Sequence, residues 1–102
     1  MIYVVATIQL TGGHRDEFLA LQKDLLPLVH AEKGCVEYAP SIEVAMGDPA
    51  KSPPRENVVV MHERWETLDD LKAHSVAPHM AAFREKSKHL VLGVKIEVFK
   101  SA

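Results

Sequence analysis

The stretch NVVVMHERWETLDDLKAHSVAPHM, residues 57–80, decides the fold, because a strand, a short helix and the start of another helix follow one another in it. Residues 57–66 alternate between two faces, which predicts a strand. One face of this strand carries Val59, Met61, Glu63 and Trp65. Since its first half is apolar on both faces, we expect a strand inside a sheet.

Two helices are predicted after this strand. Thr67 is a good N-cap, with Asp70 three residues later, so a short helix should cover residues 68–74. Residues 75–78 break it, and Pro78 suits the first turn of a second helix that extends to about residue 90. The residues expected to face inward on this second helix are Met80, Phe83 and Leu90.

Four more segments lie outside this stretch. Strands are predicted at residues 2–10, 35–45 and 91–100, and a helix at residues 15–33. The apolar stripe of that helix consists of Phe18, Leu21, Leu25, Leu28 and Val29. Pro27 should kink the helix, Gly34 should end it, and Pro40 favours an edge position for the strand that follows.

The resulting order, βαββαβ, predicts an α+β, ferredoxin-like fold: a four-stranded antiparallel sheet with helices on one face. Residues 1–102 form one domain, and residues 46–57, rich in proline, form a long hairpin loop within it. Tyr3, Val5 and the valines of the third strand make the open sheet face apolar. Such a face predicts a homodimer, a dimeric α/β barrel-type assembly related by two-fold symmetry.

Composition excludes several classes of function. The 102 residues carry a net charge of −2, so no basic surface predicts nucleic-acid binding. No apolar run approaches the ~20 residues of a membrane span, and no membrane partner is expected. Cys35 is the only cysteine, which excludes an internal disulfide and favours the reducing cytoplasm.

Three motifs carry a resemblance to a known family. They are Glu-Lys-Gly-Cys-Val-Glu-Tyr at residues 32–38, Glu-Arg-Trp-Glu at residues 63–66 followed by Leu71 and His74, and Ser-Val-Ala-Pro-His-Met at residues 75–80. With the strand order, they resemble the antibiotic biosynthesis monooxygenase superfamily over nearly the whole chain. The closest similarity is to its small quinol monooxygenases.

The resemblance implies a monooxygenase that oxidises a small quinol or dihydroxy-aromatic substrate with dioxygen and uses no cofactor. Three alternatives stay open. The first is an isomerase-like enzyme acting on a small hydroxy-carbonyl signalling compound. The second is a haem-degrading enzyme, and the third is a dimeric binding protein without catalytic activity.

Glu63, His74 and His79 are the candidate catalytic residues. Glu63 is expected under the helices, where loss of water would raise its pKa and suit it to acid–base chemistry. The opposite register would turn His62 and Arg64 inward, and an ion pair or a cap is the structural alternative for Glu63.

The two histidines are candidates for the base. His79 follows Pro78 at a helix N-terminus, which favours neutral imidazole. A neutral imidazole could take the proton of a quinol, and the resulting anion can pass an electron to dioxygen. Both histidines could instead tie the loop by hydrogen bonds. Their five-residue spacing excludes a helical His-x-x-x-His zinc motif.

Five residues are candidates for substrate binding: Trp65, Tyr38, Met80, Phe83 and Thr7. Core packing is the default role of Trp65, Met80 and Phe83, and Tyr38 could donate its hydroxyl or cap the sheet edge. Cys35 is expected to be a small buried hydrophobe rather than a nucleophile.

Metal and haem chemistry are two further alternatives. The resemblance implies no metal, although Glu63, His74 and His79 could in principle form a two-His-one-carboxylate iron site. Thr7 stands where haem-degrading relatives carry an asparagine in the first strand. This departure weakens the haem alternative.

Overall fold

The computed structural model describes all 102 residues and has the predicted βαββαβ order, with the second helical region divided in two. Its elements are β1 Ile2–Leu10, α1 Arg15–His30, β2 Cys35–Ser41, β3 Val58–Trp65, α2 Leu68–Ser75, α3 Pro78–Ser87 and β4 Val91–Lys100. The strands form one sheet in the order β2-β3-β1-β4, and every neighbouring pair is antiparallel. The predicted ferredoxin-like fold is therefore confirmed. None of the helices is long and apolar enough to cross a membrane.

The local signals explain where the helices begin and end. Thr67 accepts a hydrogen bond from the backbone N–H of Asp70 at 3.1 Å, which is the predicted cap of α2. Pro78 occupies the first turn of α3, where its missing N–H has no cost. Pro27 lies inside α1 without ending it, and the helix stops at His30, before the predicted residue 33.

The loop between β2 and β3 is longer than predicted. β2 ends at Ser41 rather than at residue 45, so the loop covers residues 42–57, and all of them are exposed. Glu43 and Arg55 connect its two ends through a hydrogen bond of 2.7 Å. The alternation of Ile42 and Val44 predicted a longer strand, but these residues pair with no neighbouring strand.

The helices cover the sheet face that carries Glu63 and Trp65. In the register of the sheet, Glu63 lies opposite Val4, and Trp65, which has no exposed surface, lies opposite Ile2. The predicted register of β3 is therefore correct, and His62 is exposed on the other face. Burial under the helices places the carboxyl group of Glu63 in the core.

The buried stripe of α1 differs from the predicted one at two positions. Leu28 is 52% exposed, whereas Gln22 is buried with 1% exposure. Gln22 lies four residues after Phe18 and three before Leu25, so it shares their helical face. The prediction placed Leu28 on the buried face because it is apolar and left out Gln22 because it is polar. The helical period, however, puts Gln22 on the buried face.

β4 extends beyond the cover of the helices. Val94, Ile96 and Val98 pair with Ile8, Ala6 and Val4 and so lie on the helical side of the sheet. All three are nevertheless exposed, as is every residue of β4 after Val91. The edge of the helical layer therefore leaves an apolar row uncovered.

Candidate functional site

A cavity of about 630 Å³ lies between the sheet and the helices. Twelve of its 20 lining residues are hydrophobic, so its interior suits an apolar or aromatic molecule. The sheet contributes Val4, Ala6, Ile8, Tyr38, Met61, Glu63, Val91, Val94 and Ile96. The helices and the turn after α3 contribute Phe18, Gln22, Leu71, Lys72, His74, Ser75, Met80, Phe83, Arg84, Ser87 and Lys88.

Glu63 places a carboxyl group in the wall of this cavity. It is 7% exposed, and its Oε1 accepts a hydrogen bond of 3.0 Å from the indole N–H of Trp65. Burial raises the pKa of Glu63, and the Glu32 carboxylate adds to the rise. The Trp65 hydrogen bond and His74 lower the pKa; each of them has a smaller effect than burial and a larger one than Glu32. A carboxyl group with a raised pKa can give up or take a proton closer to neutral pH than an exposed one.

Glu32 binds both candidate histidines. Its Oε2 lies 2.9 Å from Nδ1 of His74 and 2.8 Å from Nε2 of His79. Because an ionised carboxylate can only accept hydrogen bonds, both ring nitrogens must carry a hydrogen and donate a hydrogen bond to it. In neutral His74 this leaves Nε2 as the unprotonated nitrogen, which is the arrangement a general base needs.

Two aromatic side chains fix the ring of His74. The indole of Trp65 packs on it at a centroid distance of 4.7 Å, and the ring of Tyr38 meets it edge-on at 5.3 Å. Burial, together with the carboxylates of Glu63 and Glu32, raises the pKa of the Tyr38 phenol. Tyr38 is therefore a hydrogen-bond donor over the physiological pH range.

Among the predicted site residues in the wall, three polar atoms have no protein partner: Oε2 of Glu63, Nε2 of His74 and the hydroxyl of Tyr38. Gln22 Oε1 is the only side-chain oxygen or nitrogen that is both fully buried and without a hydrogen bond. The other three atoms thus keep accessible surface, and since their residues line the cavity, they are available to a ligand. Glu63, His74 and Tyr38 thus each bring an unpaired polar atom to one largely apolar cavity.

Five of the eight predicted site residues line the cavity: Glu63, His74, Tyr38, Met80 and Phe83. Their proximity follows from the fold, because β3 and β2 supply Glu63 and Tyr38, and α2 and α3 supply the others. The roles assigned to them remain predictions.

The other three predicted residues, Trp65, His79 and Thr7, do not line this cavity. Trp65 is fully buried behind His74 and Glu63, so it offers no surface to a ligand. His79 contacts Glu32 and not the cavity. Thr7 alternates with Ala6 and Ile8 and so lies on the open face of the sheet, away from the helices.

The sequence reasoning assigned no role to Glu32 and Gln22. Glu32 opens the first family-like motif, and this position was the only signal for it. Gln22 is a polar residue on a buried helical stripe, a signal that was available. Its Nε2 lies 3.0 Å from Met61 Sδ, while its Oε1 remains unpaired. A buried amide oxygen without a partner is costly to the fold.

The structure also bears on the expectation for Cys35 and on the iron-site alternative. Burial, with Glu32 and Glu63 nearby, raises the pKa of the Cys35 thiol, so this cysteine is not an activated nucleophile. No group of three or more His, Cys, Asp or Glu side chains is arranged so that it could hold a metal ion.

Comparison with known proteins finds a family match and a relative that agree with each other. The family described as antibiotic biosynthesis monooxygenase matches residues 1–86. The chain is 34% identical to the probable quinol monooxygenase YgiN of Escherichia coli K12 over 102 residues, covering 98% of this chain and 97% of that protein.

Solved structures agree in fold. A conserved protein from Methanosarcina mazei Go1 superposes with a TM-score of 0.81 at 22% identity, covering 99% of this chain and 92% of that one. PA3566 from Pseudomonas aeruginosa gives 0.78 at 23% identity, covering 99% and 93%.

Proposed function

The chain belongs to the antibiotic biosynthesis monooxygenase family, and from this premise we propose that it oxidises a small quinol or dihydroxy-aromatic compound with dioxygen, without a cofactor. The 34% identity to a probable quinol monooxygenase supports the choice of substrate class. The observation that carries the proposal is the set of unpaired polar atoms on Glu63, His74 and Tyr38 in an apolar cavity of about 630 Å³. A cavity of this volume suits a molecule of one to three rings.

His74 acts as the general base in this proposal. Its Nε2 takes the proton of a substrate hydroxyl, and Glu32, held at Nδ1, stabilises the imidazolium that forms. His79 donates to the same oxygen of Glu32 and so fixes the carboxylate. His79 is thus a positioning residue, and His74 is the one that meets the substrate.

Tyr38 and Glu63 handle the charge that develops on the substrate. The Tyr38 hydroxyl donates to the substrate oxygen as it becomes an anion. The electron-rich anion passes an electron to dioxygen, and recombination forms a peroxide at a ring carbon, which takes back the proton held by His74. Protonated Glu63 donates its proton to the outer oxygen as the oxygen–oxygen bond breaks and water leaves. The same carboxylate then takes the hydrogen of that ring carbon as a proton, which leaves the new carbonyl group. In sum, a quinol and dioxygen give a hydroxyquinone and water.

Product analysis separates this reaction from autoxidation. Simple autoxidation of a quinol gives the quinone and hydrogen peroxide, whereas the proposed reaction gives a hydroxyquinone and water. With labelled dioxygen and a panel of reduced naphthoquinones, with and without a carboxylate substituent, we expect one labelled oxygen atom in the product and oxygen uptake that catalase does not change. Uptake that never exceeds the rate without protein would refute the proposal.

Substitution of His74 tests the role of the base. His74→Ala should lower kcat by about 10²-fold or more, because a general base commonly contributes that much. His89→Ala is the matched control, since His89 is exposed and does not line the cavity. Equal activity of the two variants would remove His74 from the mechanism.

The assembly and the compartment also remain proposals. We propose a homodimer formed through the open sheet face, where Tyr3 and Phe99 lie opposite each other in the register of β1 and β4. Both are exposed large hydrophobic side chains, at 40% and 49%. The cytoplasm is proposed only from the single cysteine.

A further inference from the structure

The charged residues at the mouth of the cavity are all positive, and the one carboxylate of the wall lies in the interior. Three cations line it: Lys72 on α2, Arg84 on α3 and Lys88 just after α3. All three are exposed, so they lie where the cavity meets solvent. The only carboxylate among the lining residues is Glu63, which is buried. In a chain of net charge −2, this mouth is locally positive.

The three cations differ in whether a neighbouring carboxylate neutralises their charge. Lys72 takes part in no ion pair of the chain. Arg84 donates from Nη2 to the carbonyl oxygen of Ser75 at 2.9 Å, which fixes the guanidinium and keeps its charge uncompensated. Lys88 is paired with Glu85 at 2.7 Å, so it contributes least. Lys72 and Arg84 therefore carry most of the positive potential.

From this arrangement we propose that the substrate is an aromatic carboxylate, with its ring in the apolar interior and its carboxylate between Lys72 and Arg84 at the mouth. This inference rests on the proposed function for the chemistry of the ring and adds the anionic substituent. A guanidinium held by a backbone carbonyl is well suited to bind a carboxylate. Opposite charge at the mouth also speeds the entry of an anion and disfavours its release.

Binding of an unreactive pair of ligands tests the proposal without any turnover. The probes are 2-naphthoate and its methyl ester, which share a ring system and differ in charge. By calorimetry we expect the acid to bind more tightly than the ester at low ionic strength. The difference should shrink as salt is added, because exposed charges are screened.

Three variants test whether the charge dependence of the affinity comes from the cations at the mouth of the cavity. Lys72→Gln and Arg84→Gln should each weaken 2-naphthoate binding by about two- to fivefold, the range expected for an exposed ion pair, and leave the ester unchanged. Lys86→Gln is the matched control, because Lys86 is an exposed cation on α3 that does not line the cavity. It should change neither affinity.

The outcomes separate this inference from the proposed function. If the acid and the ester bind equally, if neither binds, or if Lys86→Gln weakens the acid as much as the other two variants, the anionic substrate is refuted. Calorimetry needs no oxygen chemistry, so that result leaves the oxygenase proposal to its own test. Conversely, a charge-dependent affinity without oxygen uptake would support the anionic ligand and refute the oxygenase.

Discussion

Burial of the Glu63 carboxyl group makes its charged form costly to the fold and also suits the group to acid–base chemistry. The carboxyl group is buried and its direct hydrogen-bond partner is the indole of Trp65. Because burial raises its pKa above the ordinary 4.5, the folded chain holds this proton more tightly than the unfolded chain. The group therefore favours folding fully below pH 4.5, and this contribution is lost as the pH rises through the folded pKa.

Glu63→Gln tests this linkage. The amide oxygen can still accept the Trp65 N–H, but it does not ionise, so the variant should be more stable than the wild type at neutral pH. Its free energy of unfolding, measured in urea between pH 4.5 and 8, should fall less steeply with pH. Glu66→Gln, at an exposed neighbour, is the control and should match the wild type. An unchanged slope in Glu63→Gln would show that this carboxyl group is not destabilised when charged.

Single residues of the site differed in how well the sequence predicted them. The alternation of β3 places Glu63 beside Trp65, so the need to bury an indole was enough to orient both. Glu32 contacts His74, which lies 42 positions later in the chain, and His79, which lies 47 positions later. No local period encodes such a contact, which arises only when the turn after α1 packs against α2 and α3.

At the scale of the elements, the turn between α1 and β2 joins the site to the fold. Gly34 has a positive φ of 78°, and a Cβ atom at this position would collide with the carboxylate of Asp70 on α2. The carbonyl oxygen of Gly34 also accepts the N–H of Glu66, at the end of β3. The turn is thus packed between the helix that carries His74 and the strand that carries Glu63.

Gly34→Ala should destabilise the fold by more than Gly13→Ala. Gly13 has the same φ of 78°, but a Cβ atom added there would have no other atom within 4 Å, so Ala adds only backbone strain of about 1–2 kcal/mol. At Gly34 the collision with Asp70 adds about 1–3 kcal/mol. Thermal or urea unfolding of the pair measures the difference, and equal losses would show that α2 moves away at little cost.

Local chemistry predicted the elements better than their ends. β1 and β4 have the predicted bounds because their alternation ends at clear breaks. β2 was predicted to continue to residue 45, since Ile42 and Val44 extend its pattern. A strand needs a neighbour, however. In the register that pairs Ser41 with Val60, residues 44 and 45 would lie opposite residues 57 and 56, before β3 begins at Val58, and the pairing already stops at Ser41.

At the scale of the whole molecule, the chain exposes more surface than its mass predicts. Its accessible area is 6713 Å², whereas a compact monomer of 11.3 kDa should expose about 5,700 Å². Its radius of gyration is 14.4 Å, against about 13 Å for a domain of this length. The exposed loop at residues 42–57 accounts for part of this excess. The whole excess, about 1,000 Å², is of the same order as the roughly 800 Å² that one partner buries in a standard interface.

Two apolar surfaces could supply that interface, and one pair of substitutions distinguishes them. Phe99 lies with Tyr3 on the open face, whereas Ile96 lies on the helical side of β4 and lines the cavity. A buried lysine at an interface core is costly, so Phe99→Lys should convert the proposed dimer to a monomer in sedimentation equilibrium, and Ile96→Lys should not. If Ile96→Lys alone gives a monomer, the second copy covers the helical side of β4. The cavity would then be closed by that copy, and the open face would not be the interface.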